Sequence, residues 1–330
     1  MYKIRILNAG ILEDILSMDD YIEAVEKAYS MFVKGEAGLF PIIAHEFEPE
    51  IREMDIKSGH MEGAGIFGLK VVGYAASNPS ADGTPALSGL VTVLSSQTGR
   101  PKGLVDGMTI TNHRTGAAGA VGAKYLARPD SEDVLIVGSG AQARAQTKAL
   151  LHVMPGVRRV TAASRNRAGV DLYISEMSPL YPEVDFSAAD MEHLEKPAGE
   201  ADIIVTCTPS HKPFLKREWV SPGTHINAIG ADFPGKQEID ESLLPRARVF
   251  ADSRQQVVRQ GECRKACELG ILEPDSIVEI GNVVLGAPGR VSDADITVFD
   301  STGMALQDII SASVALEKAE STGVGQLIDM

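Results

Sequence analysis

The chemistry-bearing residues of this 330-residue chain start at a turn, Gly138-Ser139-Gly140-Ala141-Gln142-Ala143, that follows the short apolar run Val134–Val137 and opens a helical stretch reaching about Val153. Strand, glycine turn and helix in that order are what a dinucleotide pyrophosphate needs. Gly138 permits the tight turn and Gly140 lets the backbone approach the phosphates. The helix start, with Ala141 and Gln142, offers unpaired N–H groups and partial positive charge. Ala143 stands at the third glycine position, an allowed variant. The next strand-like run, Arg159–Ala163, ends on Ser164-Arg165-Asn166-Arg167. A site preferring NAD usually places a carboxylate there to read the ribose. With none present, Arg165 and Arg167 are read either as binding a 2′-phosphate, with Ser164 as a hydrogen-bond donor and Asn166 as a further cofactor contact, or as merely solvated; on the first reading NADP(H) is expected to be favoured over NAD(H). Two further strand ends carry Thr206-Cys207-Thr208-Pro209 and Ile229-Gly230-Ala231-Asp232. Thr206, Thr208 and Pro209 are candidate ribose and adenosine contacts. Gly230 is read as allowing close approach of a nicotinamide, and Asp232 as lying in the crevice where ligands of such sheets bind.

These residues need a doubly wound parallel sheet beneath them. From Asp133 the texture alternates strand and helix, with later strands over Ile203–Thr206, His225–Ile229, Val249–Ala251 and Ile296–Phe299. The first hundred or so residues read differently. Ser17-Met18-Asp19-Asp20 has the form of a capping box ahead of Ile22, Val25, Tyr29, Phe32 and Val33 at helical spacing, closed by Gly35. Strand-like runs over Leu39–Phe47, Arg52–Lys57, Ile66–Tyr74 and Leu87–Leu94 then predict a mostly antiparallel sheet. A helix from near Met108 to about Ala127 is rich in small residues, which predicts either close packing or merely an Ala-rich helix. The last helix, from Met304 to about Glu320, is amphipathic and is expected to pack back on the N-terminal part. The expected fold class is α/β: a Rossmann domain over 121–303 and a discontinuous α+β substrate and dimerisation domain over 1–120 with 304–330.

Composition excludes several classes. A net charge of −14 disfavours a nucleic-acid partner, and a single tryptophan leaves little to stack bases on. No apolar run approaches the length of a membrane span, and the N-terminus has no signal-peptide core. Cys207, Cys263 and Cys267 are too few and unevenly spaced for a disulfide framework, so a reducing, cytoplasmic setting is expected. No zinc-type His/Cys spacing occurs, so no protein-held metal is expected.

The turn Gly138–Ala143, the segments Thr224-His-Ile-Asn-Ala-Ile-Gly-Ala-Asp232 and Pro234-Gly-Lys-Gln-Glu-Ile-Asp240, Arg114-Thr115-Gly116-Ala117-Ala118, Lys70, and Val298-Phe-Asp-Ser-Thr-Gly303 together resemble the ornithine cyclodeaminase/μ-crystallin family. The resemblance covers nearly the whole chain. Within the family it leans toward the archaeal-type alanine dehydrogenases and other imine-reducing members. It implies a homodimer and a small amino or imino acid held over the nicotinamide. It also implies substrate contacts from Lys70 and Arg114, which suit a carboxylate, and cofactor contacts that include Arg114 and Ser301. Asp232 matches the catalytic aspartate, which could move a proton at the amine or imine nitrogen. Lys70 could share that work, and sequence does not divide the two roles. Where cyclodeaminases carry a glutamate for the ornithine side chain, this chain has Lys57, which should repel a second ammonium and favour an extra carboxylate. His45, His60 and His113 are open between pocket-lining and structural roles, with His45 the one carried forward as a substrate contact. Three activities follow as alternatives. One is an NAD(P)H-dependent reductase of the imine of a small 2-oxo acid or of a cyclic imine carboxylate. The second is a cyclodeaminase that oxidises, cyclises and releases ammonia. The third is a non-catalytic NADPH-dependent binding protein.

Overall fold

The computed structural model describes residues 2–48 and 51–330. In chain order the elements are β1 (Lys3–Leu7), α1 (Ala9–Ile15), α2 (Met18–Val33), β2 (Ala37–Leu39), β3 (Ile43–Glu48), β4 (Arg52–Met61), β5 (Ile66–Ala75), α3 (Asn78–Ala81), β6 (Leu87–Ser95), β7 (Pro101–Asp106) and α4 (Gly107–Leu126). Then come β8 (Asp133–Val137), α5 (Ala141–Val153), β9 (Arg159–Ala163), α6 (Arg167–Met177), β10 (Asp185–Ala189), α7 (Glu195–Glu200), β11 (Ile203–Thr206), β12 (His225–Ala228) and β13 (Ala247–Ala251). The chain closes with α8 (Arg254–Gln260), α9 (Cys263–Glu268), β14 (Val278–Glu279), α10 (Ile280–Val284), β15 (Ile296–Asp300), α11 (Ala305–Thr322) and β16 (Gln326–Asp329). Among the described residues no helix is long and apolar enough to cross a membrane.

The chain forms two compact units, 1–114 with 304–330 and 115–303. The first is a mixed sheet in the order β16-β1-β7-β6-β5-β4-β2, with β3 also paired to β4. Its terminal strands, β1 and β16, pair antiparallel at the edge; both are too short to show a clear sequence period. Helix α2 starts at the Ser17/Asp20 capping box and buries Tyr21, Ile22, Val25 and Tyr29. Helix α11 lies on β4, β5 and β6 and against α2. Glycines seat it there. A Cβ on Gly59 would sit 3.0 Å from Leu306, and one on Gly68 3.3 Å from Ile309, so the helix rests directly on backbone. Leu306 and Ile309 are fully buried, each contributing roughly 1.5–3 kcal/mol of apolar burial. That close seating holds the polar residues of the same helix face at fixed positions.

The second unit is an eight-stranded, wholly parallel sheet in the order β10-β9-β8-β11-β12-β15-β13-β14. The order reverses direction between β8 and β11, which is the switch point where ligands of doubly wound sheets bind. The boundary lies between residues 114 and 115, inside α4, rather than at 120/121. The small residues of that helix give the reason. A Cβ on Gly116 would meet Ala145 at 2.6 Å, and one on Gly122 would meet Asn227 at 2.5 Å and Phe299 at 2.6 Å. The helix from Thr115 onward is thus locked to the second unit. His225 and Asn227, from the most distinctive sequence segment, are part of this lock. His225 bridges Thr297 Oγ1 (2.9 Å) and Asn227 Oδ1 (3.0 Å), and Asn227 donates to the Gly119 carbonyl at 2.8 Å. Burial drives the His225 imidazole down to about 3, so it is neutral and structural.

Candidate functional site

In the first unit the cations of interest collect on one face of the sheet. Lys57 on β4 is directly opposite Lys70 on β5. Like charges at opposed positions are destabilising unless an anion lies between or beside them. That anion is Asp308, on the buried face of α11. Lys70 Nζ donates to Asp308 Oδ1 at 3.1 Å, lies 3.0 Å from Oδ2, and donates to Thr111 Oγ1 at 3.2 Å. Arg114 Nε donates to Asp308 Oδ1 at 2.9 Å, and its Nη1 donates to Gln307 Oε1 at 3.0 Å. Gln307 in turn donates to the Tyr29 hydroxyl at 2.7 Å. Lys70 and Arg114 are nearly inaccessible and Asp308 is fully buried. Burial pushes the Lys70 ammonium down to about 8; Asp308 opposes this, while Arg114 and Lys57 add to it. Burial acts to raise the Asp308 carboxyl, but Arg114 and Lys70 hold it below its ordinary value. A buried lysine near neutrality, kept in place by one carboxylate, is equipped both to hold an anion and to exchange a proton.

Lys57, Lys70 and Arg114 are legible in the sequence as one cationic group; Asp308 is not, because its partners lie about two hundred residues away in the chain. A lone aspartate in the apolar register of the last helix was the available signal. His45 is a correction. It pairs with Met54, so it faces away from the Asp55/Lys57/Lys70 side of the sheet. There it is exposed and meets Phe47 edge-on at 4.8 Å between ring centroids. His113 takes the structural alternative, bonded to Glu13 at 2.8 Å and stacked on Tyr21.

In the second unit the glycine turn sits between β8 and α5. Gly138 has φ 137°, and a Cβ there would meet Cys207 Sγ at 2.6 Å, so the position requires glycine. Gly140 is the N-cap of α5 and has no side chain to satisfy the first helix amides. A Cβ on Gly140 would meet nothing within 4 Å. The helix start at Gly140-Ala141 therefore has no side-chain cap and leaves room for a ligand, which fits a bound pyrophosphate. Arg144, not singled out in the sequence, donates to the Ser139 carbonyl at 2.7 Å and pairs with Glu176, bracing the turn. At the end of β9, Ser164 Oγ accepts from Asn166 N–H (3.3 Å), Asn166 caps α6 through Gly169 N–H (3.1 Å), and Arg165 is exposed.

At the ends of β11 and β12, Thr206 is buried, Thr208 half-buried and Pro209 exposed. Gly230 has a different reason from the one expected. A Cβ there would lie 2.5 Å from Glu238 Oε2 and would also strike the Thr208 carbonyl. Its smallness thus serves a contact within the protein. Asp232 is exposed and pairs with Lys236 Nζ at 2.7 Å. Ser301 is buried, donating to Asp252 at 3.2 Å, and so helps fix the loop after β15. The structure thus groups Gly138, Gly140, Ala141 and Gln142 at one helix start, Ser164, Arg165 and Asn166 at the next strand end, and Thr208 and Gly230 on one carboxylate.

The family model described as ornithine cyclodeaminase/mu-crystallin family matches residues 5–323. An alanine dehydrogenase of Archaeoglobus fulgidus is 38% identical, over 98% of this chain and 97% of that protein. A solved archaeal alanine dehydrogenase dimer with bound NAD superposes with a TM-score of 0.91 at 36% identity, covering 100% of both chains. The iminosuccinate reductase of Paracoccus denitrificans, solved in complex with NAD+, also gives a TM-score of 0.91, at 31% identity over 100% of both chains.

Proposed function

The chain belongs to the ornithine cyclodeaminase/mu-crystallin family, and we propose that it is an NAD(P)H-dependent reductase that converts the imine of a small 2-oxo acid, or a cyclic imine carboxylate, into the amino acid. The observation that carries this reading is the buried Lys70–Asp308–Arg114 group, with Lys57 opposite Lys70. Lys57, Lys70 and Arg114 stand beside Asp308 and Asp55, and a cationic group of that kind suits a substrate carboxylate. The names of the solved relatives, an alanine dehydrogenase and an iminosuccinate reductase, each with bound NAD or NAD+, support the same reaction class.

The dinucleotide supplies the hydride. The chain's own residues do the rest. The α5 N-terminus, bare at Gly140, takes the pyrophosphate, and Thr206, Thr208, Pro209 and Ser301 shape the strand-end surface around the dinucleotide. Ser164, Arg165 and Asn166 take the adenosine ribose, and because no carboxylate stands at that strand end, NADP(H) is favoured over NAD(H). Arg114 and Lys57 orient the substrate carboxylate. Lys70 adds a charge-assisted hydrogen bond and, with its lowered affinity for protons, exchanges one readily. Asp232 exchanges the proton at the substrate nitrogen. The protein works as a homodimer. Ile43, Ile56, Val71 and Leu90 stand in one cross-strand row on the sheet face opposite Lys70, and all but Ile56 are exposed. An apolar row of that kind suits a subunit interface.

The test is a spectrophotometric NADPH- and NADH-oxidation screen. It pairs pyruvate, glyoxylate or oxaloacetate with ammonia or methylamine and includes pyrroline- and piperideine-2-carboxylate. Oxidation that depends on the imine is the expected result. Ammonia release from ornithine with catalytic NAD and no net oxidation would instead assign a cyclodeaminase. Lys57 argues against that outcome, because it would repel the ornithine side-chain ammonium.

A further inference from the structure

The segment 234–240 stands out in the sequence, yet the activity above uses none of its residues. Its Glu238 is fully buried. One oxygen, Oε1, accepts from Thr208 N–H at 2.6 Å and from Thr208 Oγ1 at 2.7 Å, and the other, Oε2, accepts from Gly230 N–H at 3.0 Å. The donors come from the ends of β11 and β12, two neighbouring strands whose C-terminal ends form the ligand edge of the sheet. Glu238 is itself fixed from behind. Glu262 accepts from Glu238 N–H at 2.8 Å and from Ile239 N–H at 3.0 Å.

A buried carboxylate is a poor way to gain stability, because its desolvation offsets most of what its bonds return. What it supplies here is geometry. Both oxygens must accept, so neither an amide nor an alcohol can replace it. The absence of a side chain at Gly230 follows from the same contact. We propose that Glu238 is a positioning residue for the dinucleotide: it staples the Thr208 loop to the Gly230 loop and fixes the backbone edge against which the cofactor lies. This rests on the dinucleotide reading given above.

The experiment is direct titration of the purified protein with NADPH and NADH, calorimetrically, for wild type, Glu238→Gln and Gly230→Ala. In Glu238→Gln the amide nitrogen faces one of the two N–H donors, so one loop is released. In Gly230→Ala the new methyl pushes on Glu238 Oε2 and on the Thr208 carbonyl while leaving the carboxyl group itself in place. Each folded variant is expected to bind the dinucleotide about tenfold more weakly or worse. Turnover is expected to fall as well, since Asp232 stands on the Gly230 loop, so the assignment is read from dinucleotide affinity in the folded variants and not from kcat. A folded variant of either kind that binds within about twofold of wild type overturns the assignment. If Glu238→Gln does not fold, Gly230→Ala decides alone. Wild-type protein that binds neither dinucleotide would overturn the cofactor reading itself, a result distinct from wild-type binding that the variants leave unchanged.

Discussion

Replacing Asp308 by asparagine isolates the carboxylate that holds Lys70 and Arg114 while keeping its shape. Both ion pairs are close, at 3.0 and 2.9 Å, and all three side chains are buried. Removing one member of a buried ion pair leaves an uncompensated charge and costs about 3–5 kcal/mol. The cheaper response is for Lys70 to lose its proton. Its ammonium already titrates at about 8, because burial and the neighbouring Arg114 and Lys57 outweigh Asp308. Without Asp308 the remaining influences all favour the neutral amine. At 1.36 kcal/mol per pH unit, about 3 kcal/mol moves the titration acid by about two pH units. The sign is definite: the protonated form is populated below the pKa, so the alkaline limb of kcat/KM falls near pH 8 in the wild type and about two units lower in Asp308→Asn. At pH 7 the variant then loses on the order of tenfold or more of its kcat/KM, recovered in part on acidification. The assay is the pH profile of imine-dependent NADPH oxidation, with dinucleotide affinity measured alongside. Asp308→Asn protein that is folded, binds the dinucleotide and keeps its alkaline limb at the wild-type position would refute the claim that Asp308 sets the state of Lys70.

Other perturbations test separate parts of the site. Asp232→Asn should lose most turnover yet titrate with NADPH at near wild-type affinity; near-normal turnover would remove Asp232 from the proton-transfer role. Arg165→Ala should weaken NADPH by about tenfold, the worth of one charge-assisted bond, and leave NADH little changed. Equal effects on both nucleotides, or a wild-type preference for NADH, would refute the 2′-phosphate reading. Leu90→Glu places a charge in the exposed apolar row of the first unit and should shift the protein from dimer to monomer in light scattering, whereas an unchanged mass would place the interface elsewhere.

What the sequence determined alone is the local part. The capping box at Ser17 and the turn and helix start at Gly138–Ala143 depend on residues a few positions apart, and their backbone dihedrals are set at that range. The absence of a carboxylate after β9 is equally local. Tertiary structure decided which side chains meet. Lys70 and Arg114 looked like unaccompanied cations until α11, seated on Gly59 and Gly68, delivered Asp308 to both. Strand register, which depends on pairing between segments, put His45 on the face away from Lys57. The glycine at position 230 could be read from its strand end but not explained, since its cause is a carboxylate from a different loop. The edge pair β1–β16 joins the two ends of the chain, beyond the reach of any sequence period. The physical reason is the same in each case. Backbone preference acts over one or two turns of chain, whereas charge pairing and close packing act through space, between residues whose separation along the chain carries no signal.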